Sequence, residues 1–314
     1  MPSAYEIRSP TSYPWKSGNG GNNLHLNPNV PKPTSIPAGH VLVNIKAAAF
    51  APRDVMIISQ DPIYPSYTQD GLTPLQTKGE QGWQGTLREY GVFLSKELIH
   101  APSYLPYTSL ASLASSAGTA AHAFFYGPRR LRAGQTVLTQ GTGGVSLFAL
   151  QIAAAAGATV IVTSSSNQKL ETARSLGAMH TINYVETPAW EDEVLRLTDG
   201  KGVDFVIEIG GSGSLMQSIK AARHGGLICL VGFLTESVTY DIIAPVLFTG
   251  KTIYGVRSFA KEHVEYGVKV LAEKKVEPAV GKVFGWSEEE VREAVRTLAK
   301  WDVVGKIVVK VGEE

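Results

Sequence analysis

The chain has a single cysteine, Cys229, among its 314 residues. An internal disulfide needs two thiols and a thiolate metal cluster needs several, so both are excluded. An excess of charge of either sign is also missing, since 29 Lys and Arg stand against 28 Asp and Glu. No strong field exists to draw the chain to nucleic acid or to an anionic membrane, and neither is expected as a partner. No apolar run reaches the roughly 20 residues of a membrane span. The opening MPSAYEIRSP lacks the basic-then-apolar order of a leader, and the chain reads as cytoplasmic. His25, His40, His100, His122, His180, His224 and His263 are scattered without a pair at ligand spacing, so no metal site is expected. Cys229, within LICLVG, reads as a small buried apolar residue, and His122, inside an alanine-rich segment, as a packing residue.

What is present begins with size and apolar content. A chain of 314 residues with 44% hydrophobic residues can build two modest domains. Its organising stretch is Gln135 to Ser166. Gln135–Gln140 is β-branched, Gly141-Thr142-Gly143-Gly144 is a turn, Val145–Ala156 has helical spacing closed by Gly157, and Thr159–Thr163 is a second strand. Such a βαβ unit offers the N–H groups of a helix N-terminus to a pyrophosphate, and glycine leaves room for it. Gly141, Thr142, Gly143, Gly144 and Val145 are therefore candidate dinucleotide contacts. A tight turn also wants glycine for steric reasons alone, so its place between strand and helix carries the reading.

About 20 residues beyond such a turn, NAD-selective sites present an acid to the ribose. Here Ser164, Ser165, Ser166 and then Lys169 stand instead. Hydroxyls and an ammonium suit a 2'-phosphate, which favours NADPH. The same serines could cap the helix that follows.

Downstream, Ser166–Leu176 reads as a helix closed by Gly177, and Thr181–Tyr184 as a strand that would bring Tyr184 to the adenosine side. Thr187 and Pro188 read as a cap and first helical residue. Val203–Ile209 and Leu227–Val231 read as buried parallel strands, and Ile253–Val256 as the last strand of the sheet. Ligands bind at the carboxyl ends of such strands, which makes Gly210, Phe233 and Leu234 candidate nicotinamide contacts. Elsewhere, Gly18–Asn23 reads as a loose turn and Val41–Phe50 as one strand. Leu87–His100 reads as a strand with a short connection and Leu105–Phe125 as two helical stretches. Arg53 and Asp54 read as bracing a helix from Val55, Ser287–Glu290 as a capping box opening a helix to about Lys300, and Gly305–Lys306 as the start of the last strand.

GTGGVSLFALQ, TSSSNQKLETARSLGA, VDFVIEIGGSGSLMQSIKAARHGGLICLVGFL and GKIVVKV together resemble the zinc-independent medium-chain dehydrogenase/reductase family, in its quinone oxidoreductase branch. The resemblance spans nearly the whole chain. It implies an α/β fold: a Rossmann doubly wound parallel sheet at 108–261 that binds NADP, and a reduced GroES-like β-barrel substrate domain from 1–107 with 262–314. It also implies cofactor contacts at Thr119, in the Gly118–Ala123 segment, and at Arg257 and Lys306. A homodimer would form through the Ile253–Val256 strand. Two departures stand out. Ala51 replaces the family's asparagine, and Pro65–Thr86 replaces several barrel strands, either as a remodelled, more open pocket or as a lost exon. Trp83 would be a lid or an edge cover there, and Tyr64 and Tyr67 candidate proton donors. The expected activity is NADPH-dependent reduction of an enone, quinone or similar carbonyl-conjugated apolar small molecule. The alternative is a non-redox cyclase, isomerase or binding protein on the same scaffold.

Overall fold

The computed structural model describes residues 1–60, 85–256, 259–301 and 303–312. Its strands are β1 (Ala4–Ile7), β2 (Leu24–Asn27), β3 (His40–Asn44), β4 (Ala47–Phe50), β5 (Tyr90–Leu94), β6 (Thr136–Gln140), β7 (Thr159–Ser164), β8 (His180–Asn183), β9 (Val203–Glu208), β10 (Ala222–Leu230), β11 (Thr252–Gly255), β12 (Val280–Phe284) and β13 (Lys306–Lys310). Its helices are α1 (Pro52–Ile58), α2 (Tyr107–Ala121), α3 (Gly144–Ala155), α4 (Asn167–Ser175), α5 (Trp190–Leu197), α6 (Ser212–Ala221), α7 (Ile243–Leu247), α8 (Lys261–Glu273) and α9 (Glu288–Ala299). The chain divides into two units, Met1–Ser112 with Val280–Glu314, and Leu113–Ala279.

The second unit is built on a sheet ordered β11-β10-β9-β6-β7-β8, with every neighbouring pair parallel. Val137, Leu138, Val160, Ile161, Val162, Phe205, Val206, Ile207, Leu227, Ile228 and Cys229 are buried along its strands. Near-continuous apolar runs of this kind belong to strands covered on both faces. The chain runs outward from β6 through β7 to β8, then returns to start β9 on the other side of β6. That reversal makes the β6/β9 edge the topological switch point of a Rossmann sheet. Cys229 is fully buried, and burial pushes its thiol up to about 12, so it behaves as an apolar filler.

Several elements differ from the sequence expectation. Leu105–Phe125 holds one helix, α2, which runs into a π turn at His122–Tyr126, because no Gly-Pro break separates its alanine-rich halves. The helix expected at Thr187–Pro188 starts at Trp190. The Thr187 N–H instead closes a turn on the Asn183 carbonyl, and Trp190 docks into the core beside Val194. β10 begins earlier than expected, with a bulge between Ala222 and Leu227. α8 belongs with the second unit, although the sequence placed 262–314 with the first. Gly267 lets α8 lie close to α2, where a Cβ would stand 2.9 Å from the Ala117 carbonyl oxygen.

The first unit contains the antiparallel pairs β1-β2 and β3-β5, and a β12-β13-β4 sheet in which β13 runs parallel to β12 and antiparallel to β4. Val41–Phe50 is therefore two strands. The break falls at Ile45–Lys46, where the chain leaves β5 as partner and takes β13: the Ile45 N–H bonds the Glu89 carbonyl and the Val311 N–H bonds the Lys46 carbonyl. α1 starts at Pro52, three residues before the expected Val55, and Asp54 Oδ2 reaches back to accept from the Ala51 N–H at 2.7 Å. Ser287 caps the helix as expected, its Oγ accepting from the Glu290 N–H, while the Glu290 carboxylate accepts from the Gly285 N–H and Ser287 Oγ. No helix among the described residues is long and apolar enough to cross a membrane.

Phe148, on α3, is wholly buried. Truncation to alanine is expected to cost about 3–5 kcal/mol through lost transfer energy and a cavity, read as a lower urea midpoint. A shift below about 1 kcal/mol would mean that α3 is not docked on the sheet as described.

Candidate functional site

Most of the candidate residues gather at the carboxyl edge of the parallel sheet. Gly141 leaves β6 with φ +71°, a conformation that L side chains rarely adopt, and its N–H bonds the Thr163 carbonyl at 2.7 Å. Gly143 is the N-cap of α3 with no side-chain cap, and a Cβ on Gly141 or Gly143 would meet no atom within 4 Å. Thr142 is buried, Gly144 and Val145 are half-buried, and Ser146 Oγ turns back to the Gln140 carbonyl at 2.6 Å. A twelve-residue helix thus presents its uncapped N-terminus to open space at the switch point, which is the donor set and dipole an anion needs.

The N-terminus of α6 is occupied differently. Its N-cap Gly211 (φ +86°) donates its N–H to Glu208 Oε1 at 2.9 Å, and Ser214 Oγ donates to the same oxygen at 2.5 Å. Glu208 is fully buried at the end of β9, and Ser218 Oγ and Gln140 Nε2 donate to its second oxygen. Gln140 Oε1 accepts from the Ile209 and Gly210 N–H groups at 3.0 and 3.3 Å. The sequence reading missed this cluster. An acid next to last in a predicted buried strand, two residues before Gly210, was the available signal.

Gly210 is held to the side chain of Gln140, the residue before the glycine turn, and to the loop after β10. The Gly210 carbonyl accepts from the N–H and Oγ1 of Thr235, each at 2.8 Å, and the Ile209 carbonyl accepts from the Leu234 N–H. A Cβ on Gly210 would run into the Ser214 hydroxyl and stand 3.3 Å from Glu208 Oε1, so a side chain here would disturb the protein's own packing. Phe233 is half exposed.

At the end of β7, Ser164 is buried and its carbonyl accepts from the Tyr184 N–H at 3.0 Å. Ser165 is exposed. Ser166 takes the N-cap position of α4 without its hydroxyl accepting from the helix, so the expected capping role is filled by position alone. Lys169 lies in the first turn of α4, half-buried, and Tyr184 is exposed. A triangle absent from the sequence reading stands beside them. Glu186 Oε1 accepts from Asn167 Nδ2 at 2.7 Å and from Asn183 Nδ2 at 2.9 Å, and Asn183 Nδ2 also donates to Asn167 Oδ1.

Thr119, in α2, donates its hydroxyl to the Ser115 carbonyl at 2.6 Å. His122 Nε2 lies 2.9 Å from the Tyr254 hydroxyl and its ring centroid 4.4 Å from that of His263. Burial and the neighbouring His122 hold the His263 imidazolium below the ordinary histidine range. Among the described residues no three His, Cys, Asp or Glu side chains are grouped to hold a metal ion. Lys306 lies in the first unit, buried, with Nζ donating to the Phe50 carbonyl. Burial pushes its ammonium down to about 8, against the opposing pull of Asp54. Tyr64, Tyr67, Trp83 and Arg257 lie outside the described residues.

Residues 144–273 match the family model described as zinc-binding dehydrogenase. A zinc-type alcohol dehydrogenase-like protein of Schizosaccharomyces pombe is 33% identical, over 89% of this chain and 93% of its own length. A quinone oxidoreductase-like protein 2 homolog of Nematostella vectensis is 29% identical, over 74% of this chain and 65% of its own length. Among solved structures, an NAD-dependent alcohol dehydrogenase superposes with a TM-score of 0.84 at 28% identity, covering 99% of this chain and 100% of that one.

Lys306 generates a pH prediction. Below about pH 8 both folded and unfolded chains carry the proton, and the fold bears the cost of the buried charge. Between about 8 and the ordinary 10.5, only the unfolded chain holds the proton, so folding gains stability as pH rises. The stability of wild type relative to Lys306→Met is expected to grow by on the order of 2 kcal/mol from pH 7.5 to pH 10, by urea denaturation of both proteins. A difference that does not change with pH would place an ordinary lysine there.

Proposed function

The chain belongs to the medium-chain dehydrogenase/reductase superfamily of oxidoreductases, and from that premise we propose that it uses NADPH to reduce an enone, quinone or similar carbonyl-conjugated apolar small molecule. The carrying observation is the open, uncapped N-terminus of α3 at the switch point, with Gly141 and Gly143 facing empty space. The α3 N–H groups would hold the pyrophosphate, and Ser165, Ser166 and Lys169 the 2'-phosphate. Gly210, Phe233 and Leu234 would border the nicotinamide, and Thr119, Tyr184, Arg257 and Lys306 are further proposed contacts. When bound, NADPH supplies the hydride; the protein must orient it, exclude water and favour the charge that develops on the acceptor. A conjugated acceptor delocalises that charge, which suits a chain whose one cysteine is buried and cannot build a thiolate zinc site. The likeness to a quinone oxidoreductase-like protein supports this substrate class. Tyr64 and Tyr67 are the proposed proton donors.

The protein would work in the cytoplasm as a homodimer. β11 is the outer strand of its sheet, and Ile243, Leu247 and Phe248 are exposed on the segment that leads to it.

One observation favours NADH instead. The Glu186 carboxylate is held beside Asn167, directly after the serine cluster, where it would oppose a 2'-phosphate. Calorimetric titration separates the two readings. NADPH is expected to bind about tenfold or more tightly than NADH, and Lys169→Ala to remove most of that preference, as befits a charge-assisted hydrogen bond. Glu186→Gln is expected to favour NADPH further by a few-fold. Binding of neither nucleotide would reject the redox reading.

A further inference from the structure

Glu208 is a wholly buried carboxylate whose hydrogen-bond partners are all neutral: the Gly211 N–H, Ser214, Ser218 and Gln140. Burying such a group is costly, and here the cost is offset by four donors and by the N-terminal end of the α6 dipole. Each donor belongs to a segment whose position it thereby defines. Gly211 opens α6, and Ser214 and Ser218 lie one turn apart on its inner face. Gln140 closes β6, immediately before the glycine turn.

Gln140 is oriented by this charge. Its amide can face a carboxylate only with the NH2 end, so Oε1 is left to receive the Ile209 and Gly210 N–H groups, as observed. The links continue into the loop after β10. The Glu208 carbonyl accepts from the Val231 and Gly232 N–H groups at 2.9 and 3.2 Å. Thr235 bonds the Gly210 carbonyl and, through Oγ1, accepts from the Gly213 N–H at 2.8 Å. The Glu208 side chain thus joins the carboxyl end of β6 to that of β9 and to α6, and the loop after β10 is tied to the same segment through the Glu208 main-chain carbonyl and through Thr235. The α3 N-terminus meets the main chain of Gln140, through Ser146 Oγ and the Gln140 carbonyl, whereas Glu208 holds the Gln140 side chain.

We propose that Glu208 is a positioning residue: without touching the cofactor, it sets the backbone of residues 209–214 and 231–235 against the nicotinamide end, while the pyrophosphate turn stands largely independent of it. The proposal rests on the NADPH reading above and adds to it which buried group governs one half of that site.

Two ligands test it by calorimetry: NADPH, and 2'-phospho-ADP-ribose, which lacks the nicotinamide. Glu208→Gln keeps size but turns an NH2 toward groups that are already donors. It is expected to weaken NADPH about tenfold, to leave 2'-phospho-ADP-ribose within about twofold, and to reduce the change in nicotinamide fluorescence on binding. Thr235→Val, at an exposed position with little risk to folding, is expected to act in the same direction by a few-fold, and it carries the test should Glu208→Gln not fold. Equal loss of both ligands, or no loss of either, overturns the positioning role while the cofactor reading stands. Failure of the wild-type protein to bind either ligand removes the cofactor reading, and the proposal with it.

Discussion

A parallel sheet covered on both faces has almost nowhere to put polar side chains except at its strand ends. In the second unit β6, β7, β9 and β10 bury valine, isoleucine, leucine and phenylalanine on both sides, so Gln140, Ser164 and Glu208 come at or next to their carboxyl ends. The helices that follow begin at that same edge and bring their unsatisfied N–H groups with them. Chemistry collects there because the rest of the sheet cannot hold it.

Along that edge two helix N-termini meet different fates. The α6 terminus is closed by the protein's own anion, Glu208, whereas α3 is capped by a glycine with open space before it. One dipole is used internally to hold loops in place, and the other remains available to a ligand. The division follows from what ends the preceding strand: Glu208 on β9 reaches forward to α6, while Gln140 on β6 is turned sideways to β9.

Much of this was legible from residue order. Glycine spacing, β-branched runs and the Ser287 capping box identified the central βαβ unit, the buried strands and α9, because each depends on neighbours within a few residues. The errors have a common cause. Val41–Phe50 reads as one strand, yet it divides where it exchanges β5 for β13, and pairing partners distant in sequence leave no local trace. Thr187 has the chemistry of a cap, yet it closes a turn leaving β8, because the position of α5 is decided by where Trp190 can be buried.

The sequence by itself determined the fold class, the glycine turn and the hydroxyl-and-lysine cluster after β7, since strand period, helix stops and turn conformation are properties of short stretches. It also excluded a zinc site built on several thiolates, because the chain has one cysteine. Only the tertiary structure decided which polar residues act together. Glu208 and Gln140 are 68 residues apart, and Glu186 and Asn167 are 19 apart. Their partnership exists because parallel strands place successive carboxyl ends side by side, and a buried charge must take its donors from whichever segments the topology has put there.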